Sequence, residues 1–411
     1  MIDRGQGIRL ESTPNGPRKV SSKRGIPVVD LNSFKVLNGL EVGESVKVVS
    51  SAGRIDILPT RRSFHIRESK KAWSNYRVLE LFAGGGTFHD ALGGIDAFKV
   101  VGALELESKF LNIYDRKFSD VETLLHGDIR DYEPDDLPRH DILVAGIPCT
   151  DHSIEGRSKK GLSTPEDGEI GNLYIDVLPM VRHHRPLAVV VENVPSYLTS
   201  EAGINLIRVL RQWGYSVTSQ VIDPLQYGEI TSRKRCVIVA TQRGAFQIAA
   251  PSSLNQFRLS DFLDPEDPIQ DKLDAERDAH SVNYLAERSR LMAEKGNGWR
   301  HQVFHRNHLG KVPTITRGYF KRQPQSWMIH TPFGPRMLRK HEIARIHGHS
   351  FPEDISASLT IEMSGQGVMS RVFNTIFTEL YTFLESGHSE PKDSITEFAQ
   401  SKDSQLRLFV C

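Results

Sequence analysis

The stretch VLELFAGGGTFHDAL (residues 78–92) decides the fold. It begins with an apolar run typical of a buried strand, passes through Gly84, Gly85 and Gly86, and continues into residues that can begin a helix. Glycines at such a strand-to-helix turn let a ligand approach the backbone closely, and they leave helix N-terminal amides free for its polar groups. Because a tight turn without a ligand has the same pattern, this stretch alone leaves the use of the turn open.

Apolar runs of the same kind recur between residues 77 and 241, namely FKVVGALEL, DILVAG, LAVVVENV and RCVIVA. The segments between them are long enough to hold helices. Unbroken runs of Val, Leu and Ile suit strands that are buried on both faces, as in a parallel sheet covered by helices. The sequence therefore predicts an α/β doubly wound fold.

After Gly244 this pattern changes to a polar, acid-rich stretch, DFLDPEDPIQDKLDAERDAH, in which alternating periodicity is lost. A basic, aromatic stretch follows between residues 297 and 327. Further on, RKHEIARIHG predicts a short helix that ends at Gly348, and residues 368–385 predict an amphipathic helix.

Composition narrows the class of protein. The 411 residues exceed a typical single-core domain, and the 52 basic and 51 acidic residues leave nucleic acid open as a partner without supporting it. No apolar run approaches the ~18 residues of a membrane span, so we expect an intracellular protein without membrane association. Cys149, Cys236 and Cys411 lie far apart, which argues against a disulfide framework and a metal site.

Acidic residues follow the next two predicted strands. Glu105 lies about twenty residues beyond the glycines, where acids accept hydrogen bonds from ribose hydroxyls in nucleotide-binding βαβ units. Asp128, in HGDIRD, could accept from an adenine amino group. A single acid of this kind is more often a solvated loop residue. Together with the glycine turn, the two acids favour a cofactor that contains adenosine.

The most informative run is DILVAGIPCTDHS, which places Cys149 in a loop at the same edge of the sheet. A thiol there can attack an electrophilic carbon if cationic groups favour the thiolate, whereas the alternative is a buried, inert cysteine. Glu192 ends the next run and suits general acid work. Arg233 and Arg235 alternate before the following run, so they can project to one face and bind a carbonyl oxygen, a phosphate or an acid.

In this order the segments resemble the C5-cytosine-specific DNA methyltransferases, from about Val78 to Phe377. FAGGG is similar to the family's F-x-G-x-G cofactor loop, GIPC to its Pro-Cys nucleophile motif, ENV to its catalytic Glu motif and RKR to its R-x-R motif. RMLRKHEIARIHGHSFPED resembles a further family segment with Arg, Glu and Phe-Pro, and SGQGV resembles the terminal G-N-x-V.

The resemblance implies a Rossmann-like S-adenosylmethionine-dependent methyltransferase domain with a smaller target recognition domain and an N-terminal extension. It implies that Cys149 attacks C6 of a flipped-out cytosine, that Glu192 protonates or hydrogen-bonds N3, and that Arg235 holds O2 with Arg233 beside it. Cytosine C5 needs this help because it is a poor nucleophile until a thiolate adds at C6. The S-adenosylmethionine site implied by the resemblance consists of Phe82, Gly84, Gly86, Glu105, Asp128, Ile129, Pro148, Gln366 and Val368.

The implied partner is double-stranded DNA, and we expect a monomer. The polar segment from Thr150 to Asn172 resembles the family's mobile loop, and the basic, aromatic stretch lies in the family's variable region. The candidate DNA contacts in these two segments are Ser153, Arg157, Lys159, Lys160, Arg300, Arg317 and Lys321. The expected setting is the cytoplasm of a bacterial or phage-type system, on the nucleoid, in restriction and modification.

Five regions are predicted on this basis. They are a flexible basic arm at residues 1–25, a small β-rich appendage at 26–70, a catalytic methyltransferase domain at 71–245 and 350–388, a target recognition region at 246–349, and a loose C-terminal tail at 389–411.

Four positions depart from the family pattern: Ile147, Thr150, Thr231 and Gln366. None of them removes a catalytic group. Three alternatives stay open, namely a tRNA cytosine-5 methyltransferase, a non-catalytic nucleic-acid-binding member of the family, and a donor that transfers a group other than methyl.

Overall fold

The computed structural model describes residues 76–149, 152, 161, 163–168, 170–251, 256–296, 301–321 and 326–386, together with the backbone of six strands between residues 8 and 66. The tail predicted at 389–411 lies outside the described residues.

Five short strands precede the main sheet. They are β1 (Ile8–Glu11), β2 (Ser21–Lys23), β3 (Ile26–Val28), β4 (Val46–Ser51) and β5 (Arg54–Pro59). β1, β5 and β4 form an antiparallel sheet in that order, and β2 pairs with β3. The arm predicted at residues 1–25 therefore contains strand residues at 8–11 and 21–23. In IRLE, apolar and charged residues alternate as they do in strands, but Gly, Pro and basic neighbours obscure this short pattern.

The main sheet has eight strands in the order β12-β13-β11-β10-β7-β8-β9-β6. Its strands are β6 (Ser63–Ile66), β7 (Tyr76–Leu81), β8 (Phe98–Glu105), β9 (Thr123–His126), β10 (Ile142–Gly146), β11 (Ala188–Asn193), β12 (Ser216–Ile222) and β13 (Arg235–Thr241). The five strands from β9 to β11 in this order are parallel, whereas β6, β12 and β13 are antiparallel to their neighbours. β6 lies in the predicted appendage, yet it extends the main sheet.

Eight helices lie within the described residues. They are α1 (Thr87–Leu92), α2 (Ser108–Lys117), α3 (Tyr174–His184), α4 (Glu201–Gln212), α5 (Pro268–Glu294), α6 (Lys340–His347), α7 (Ala357–Gln366) and α8 (Ser370–Glu385). The short helix and the amphipathic helix predicted near the C-terminus are thus confirmed as α6 and α8. Among the described residues, no helix is both long and apolar enough to cross a membrane.

Helices cover both faces of the main sheet because successive strand residues point in opposite directions. Val78 of β7 packs in a core with Phe88 of α1 and Phe373 of α8. Its neighbour Leu79 packs in a second core with Val177 of α3, on the opposite face. The predicted doubly wound α/β fold is confirmed.

A smaller region follows β13. It contains α5 and the three-stranded sheet β14 (Val303–Phe304), β15 (Met328–Thr331) and β16 (Gly334–Arg336). Trp327 and Leu285 are fully buried in its core, which Ile361 of α7 also joins. The next buried residue of α7, Met363, packs instead with Phe110 of α2. α7 therefore connects the smaller region with the main sheet domain.

Helix α5 begins in the acid-rich stretch, whose sequence shows no alternating periodicity, and continues beyond it. Its buried face carries Asp271, Asp274 and Asp278. Arg336, itself fully buried, contacts Asp271 at 3.0 Å, and Arg339 contacts Asp274 at 2.8 Å. Because carboxylates paired with arginines line its buried face, that face lacks the apolar stripe that identifies most helices.

Candidate active site

The candidate site lies where the strand order of the sheet reverses. β7 and β10 are parallel neighbours, and their chains continue in opposite directions across the sheet, to β8 and to β11. In open α/β sheets such a switch point forms a crevice outside the carboxyl ends of the strands. The glycine turn after β7 and the Cys149 loop after β10 therefore meet at one edge.

The glycine turn has an unusual backbone. Phe82, half-buried, has a φ of 57°, and Gly84 and Gly86 have φ values of 55° and 81°. A side chain on Gly86 would collide with the ring of Phe118, so packing disfavours any residue larger than glycine. At Gly84, by contrast, a Cβ would meet no atom within 4 Å. The backbone at Gly84 thus borders open space that a ligand could occupy.

Glu105 ties the turn to the next strand. Its Oε2 accepts from the amide of Gly84 at 2.7 Å, and its Oε1 accepts from the amide of Glu107 at 2.8 Å. Burial is the main reason that the pKa of Glu105 is raised. Each carboxylate oxygen keeps a further lone pair for a hydroxyl donor.

Asp128 begins the short 3-10 turn Ile129–Asp131 after β9. Its Oδ1 accepts from the amide of Arg130 at 3.0 Å, and the Arg130 guanidinium pairs with both oxygens. Ile129 is buried in the core. A ligand amine at Asp128 would therefore share the carboxylate with Arg130.

The Cys149 loop is fastened to the end of β11. Gly146 of β10 lies opposite Glu192 of β11, and Asn193 Nδ2 donates to the carbonyl of the buried Ile147 at 3.2 Å. Pro148 and Cys149 are half-buried. The amide of His152 donates to the Cys149 carbonyl at 3.1 Å, which closes a turn directly after the thiol.

Glu192 and Arg235 form an ion pair beside this thiol. Nε of Arg235 lies 2.8 Å from Oε1 of Glu192, and both side chains are largely buried. Burial is the first cause of the raised pKa of Glu192, and the two arginines oppose it. Burial also raises the pKa of Cys149, Glu192 adds to that increase, and Arg235 and Arg233 lower it. The four side chains thus act on one another electrostatically.

Arg233 has a different neighbour. The guanidinium is buried, and its Nη2 donates to the carbonyls of Gly365 at 2.6 Å and Gly367 at 3.1 Å. Gln366 between them is exposed at the end of α7. Val368 is buried, and its amide donates to Oγ1 of Thr87 at the start of α1. Arg233 therefore holds the C-terminal motif against the glycine turn.

The smaller region docks on the segment before Arg233. Thr231 pairs with Val312 in a parallel bridge, and Thr314 Oγ1 donates to the carbonyl of Ser232 at 3.1 Å. The exposed Arg317 has its backbone packed against Gly365.

Of the other candidate DNA contacts, Lys321 is exposed. Ser153, Arg157, Lys159, Lys160 and Arg300 lie outside the described residues, as does Thr150.

A buried polar cluster behind the glycine turn was not predicted. Lys117 Nζ donates to the carbonyl of Gly85 at 3.2 Å and to Oδ2 of Asp90 at 2.7 Å. His89 Nδ1 lies 2.9 Å from the hydroxyl of Tyr114. Burial raises the pKa of the neighbouring Glu80 to about 8. A carboxylate between Leu79 and Leu81 in an apolar run was the available signal. Among the described residues, no group of three potential ligands could hold a metal ion.

Comparisons with known proteins bear on this site. The family model for C-5 cytosine-specific DNA methylase matches residues 76–382. Type II methyltransferase M.NgoBI of Neisseria gonorrhoeae is 28% identical over 293 residues, which cover 69% of this chain and 85% of that protein. Type II methyltransferase M.HhaI of Haemophilus parahaemolyticus is 26% identical over 321 residues, covering 74% of this chain and 94% of that protein.

A crystal structure of the S. pombe Dnmt2 methyltransferase has a similar fold, with a TM-score of 0.59 and 18% identity, and it matches 76% of this chain and 100% of that chain. The family model spans both the main sheet domain and the smaller region, and it covers every described element of the candidate site. The chain therefore belongs to the C-5 cytosine-specific DNA methylases.

Proposed function

We propose that the protein is a DNA (cytosine-5-)-methyltransferase that modifies C5 of a flipped-out cytosine, with S-adenosylmethionine as the methyl donor and Cys149 as a covalent nucleophile. The observation that carries this proposal is the position of Cys149 beside the Glu192–Arg235 ion pair, at the same sheet edge as the glycine turn. A thiol, an acid and two guanidinium groups are the set needed to activate a pyrimidine ring.

Cys149 supplies the nucleophile. Because its pKa is raised, the thiol holds its proton at neutral pH in the free protein. The positive charges of Arg233 and Arg235 lower that pKa and so favour the thiolate. Once the thiol has lost its proton to solvent, the Sγ thiolate forms a bond to C6 of cytosine, and the π electrons of the C5–C6 double bond move toward C5 and N3, which makes C5 nucleophilic. At the end of the reaction C5 loses its proton, the C5–C6 double bond re-forms, and the Sγ–C6 bond breaks to release the thiolate.

Glu192 and Arg235 stabilise the charge that develops on the ring. Because burial raises the pKa of Glu192, its carboxyl takes up a proton more readily than an exposed one, and donation or hydrogen bonding to N3 draws electrons away from C6. Arg235 is placed to hold O2 while it keeps Glu192 in position. Arg233 acts at one remove, because its Nη2 donates to the carbonyls of Gly365 and Gly367.

The residues at the glycine turn fit S-adenosylmethionine, which supplies an electrophilic methyl group when it is bound. Gly84 borders open space with a backbone that glycine adopts readily, and Glu105 offers buried acceptors next to it. The residues proposed to surround the cofactor are Phe82, Gly84, Gly86, Glu105, Asp128, Ile129, Pro148, Gln366 and Val368.

For the substrate we propose double-stranded DNA, which Arg317 and Lys321 contact through phosphates. In support, Arg317 is exposed and its backbone lies against Gly365, whose carbonyl accepts from Arg233. We assign residues 71–245 and 350–388 to catalysis and residues 246–349 to target recognition. We also propose that the protein works in the cytoplasm, on the nucleoid, as the modification partner of a restriction system.

The test is transfer of labelled methyl groups from S-adenosylmethionine to duplex DNA and, in parallel, to tRNA, followed by bisulfite mapping of the DNA. We expect DNA to be labelled and Cys149→Ser to abolish turnover while cofactor binding is kept. Labelling of tRNA alone would identify the protein as a tRNA cytosine-5 methyltransferase. Tight cofactor binding without labelling of either substrate would identify it as a non-catalytic member of the family. Mass spectrometry of the product base identifies the transferred group.

A further inference from the structure

Helix α5 has an apolar stripe on its outer face. Ile269, Leu273, Tyr284 and Leu291 are exposed by 76%, 54%, 44% and 43%. At about 100° per residue, these four side chains fall within a sector of about 60° on the helix surface. Scattered exposed apolar residues need no explanation, but four in one line along a helix do.

The stripe lies opposite the face that packs against the protein. Asp271, Asp274, Asp278, Ser281 and Leu285 are buried on that inner side. α5 is therefore amphipathic in the reverse sense, with carboxylates inside, bound by Arg336 and Arg339, and apolar side chains outside. Nothing in the inner packing requires the outer side chains to be apolar.

The outer face has the spacing of a helix-pairing seam. Exposed residues recur in steps of three and four, at Leu273, Arg277, His280, Tyr284, Glu287 and Leu291. Such alternating steps keep one stripe facing a partner helix. The six residues span about 27 Å of helix, which suits a modest interface rather than an obligate one.

We propose that this face binds the same face of a second copy of the chain, with the two α5 helices antiparallel around a two-fold axis at the level of Val282. In this arrangement each seam residue meets the residue equally far from Val282 on the other copy. Leu273 then meets Leu291 of the second copy, and His280 meets Tyr284 of the second copy. A two-fold interface must be self-complementary in this way.

The charges on the face match the same arrangement. Arg277 meets Glu287 of the second copy, so the charged layer of the seam joins opposite signs on both sides of the axis. Glu276 and Arg290 flank the seam on one side. Antiparallel pairing brings Glu276 of one copy near Arg290 of the other. Within one chain, Arg290 already pairs with Glu287 at 2.7 Å and Arg277 with Asp274 at 2.8 Å, so these side chains can bridge the two copies without becoming isolated.

The face does not suit DNA. Glu276, Glu287 and Glu294 lie along it and offset the positive charge of its arginines, and the apolar side chains between them offer nothing to a phosphate backbone. The proposed dimer differs from the monomer that we expect from the sequence. It leaves the candidate active site complete within each chain.

Sedimentation velocity of the full chain over a range of concentrations tests the proposal. We expect a reversible dimer whose fraction rises with concentration. Leu291→Asp should shift the dissociation constant upward by at least tenfold. The matched control is Ala286→Asp, which adds the same charge to an exposed position of α5 away from the seam, and it should leave the dimer unchanged.

Charge reversal tests the register. Arg277→Glu and Glu287→Arg should each weaken self-association, because like charges then meet across the axis. An equimolar mixture of the two variants should form a heterodimer in which every charged layer is again opposite in sign.

Three outcomes would overturn the proposal. One is a wild-type chain that stays monomeric at the highest concentration, as would happen if another segment of the same chain covered the face. The second is an equal loss of dimer in Leu291→Asp and Ala286→Asp. The third is a mixture of the charge variants that associates no better than either variant alone. Methyl transfer is measured separately, so failure here does not bear on the proposed reaction.

Discussion

Nε of Arg235 lies 2.8 Å from Oε1 of Glu192, so the acid expected to act on the substrate already has a cationic partner. The pair is buried next to Cys149, where its two members change the pKa of the thiol in opposite directions. Because burial outweighs the pairing, the pKa of Glu192 stays above its ordinary value. This ion pair therefore affects the pKa of the Cys149 thiol as well as that of the Glu192 carboxyl.

Glu192→Gln should separate these two effects. The variant lacks the proton that Glu192 can give to N3, so methyl transfer should fall by ~10²–10⁴-fold. The pKa of Cys149 should fall at the same time, because Glu192 is the second largest cause of its increase. Single-turnover transfer measures the first effect, and alkylation of the thiol as a function of pH measures the second. An active variant, or an upward shift of the alkylation midpoint, would show that the acid is misplaced.

The free protein should show a slow thiol at neutral pH. Burial and Glu192 raise the pKa of Cys149, so the thiolate fraction at pH 7 is lower than that of an ordinary cysteine, whose pKa is about 8.5. Alkylation should rise about tenfold per pH unit and reach its midpoint above that value. The Cys149→Ser variant gives the background to subtract, including the reaction of Cys236. A midpoint below the ordinary value would contradict the assignment.

Two glycines provide a matched pair of variants. Gly84→Ala places a methyl group in open space, so the fold should lose only about 1 kcal/mol for the positive φ, whereas cofactor affinity should fall by tenfold or more. Gly86→Ala forces the methyl group against Phe118 and should cost more stability, by about 1–3 kcal/mol beyond the backbone strain. Thermal unfolding and calorimetric titration with S-adenosylmethionine distinguish the two. Equal losses of affinity and stability in both variants would contradict the proposed position of the cofactor.

The positions of the buried strands along the chain could be predicted because each depends on local sequence. Apolar runs mark β7, β8, β10, β11 and β13, and residues that follow parallel strands meet at one edge whatever the details of packing. The ion network under α5 could not be predicted. Its acidic face is stable only because Arg336 and Arg339 arrive from residues more than sixty positions away.

The separate tasks of Arg233 and Arg235 show a second limit. Spacing by two predicts a common face for residues within a strand, but β13 begins only at Arg235. Arg233 lies in the preceding turn, and its acceptors belong to Gly365 and Gly367 at the end of α7. Contacts of this kind between distant segments leave no periodic signal in the sequence.

Substitution of the two arginines should give different kinetics. Arg233→Lys keeps a charge but cannot bridge two carbonyls in the same geometry, so the C-terminal motif should loosen and the KM for S-adenosylmethionine should rise several-fold, more than kcat falls. Arg235→Lys should reduce kcat by more than it changes that KM, because Arg235 contacts Glu192. Steady-state kinetics with saturating DNA give both constants. The same split between kcat and KM in both variants would argue against separate tasks.

Glu80 should make stability depend on pH. Burial raises its pKa in the folded chain to about 8, above the ordinary value of 4.5, so the folded state binds the proton more tightly than the unfolded state does. Stability should therefore be greatest at low pH as far as this group is concerned, and should fall by roughly 3 kcal/mol between about pH 5 and about pH 8. Glu80→Gln removes the titration and keeps the size of the side chain, so its stability should change less over that interval. Urea unfolding of both chains at several pH values measures the difference, and Asp135→Asn, at an exposed acid, is the control. If wild type and Glu80→Gln lose stability in parallel as the pH rises, the titration of Glu80 is not the cause of the loss. Lys117 is then the next residue to substitute, because it donates both to Asp90 and to the carbonyl of Gly85.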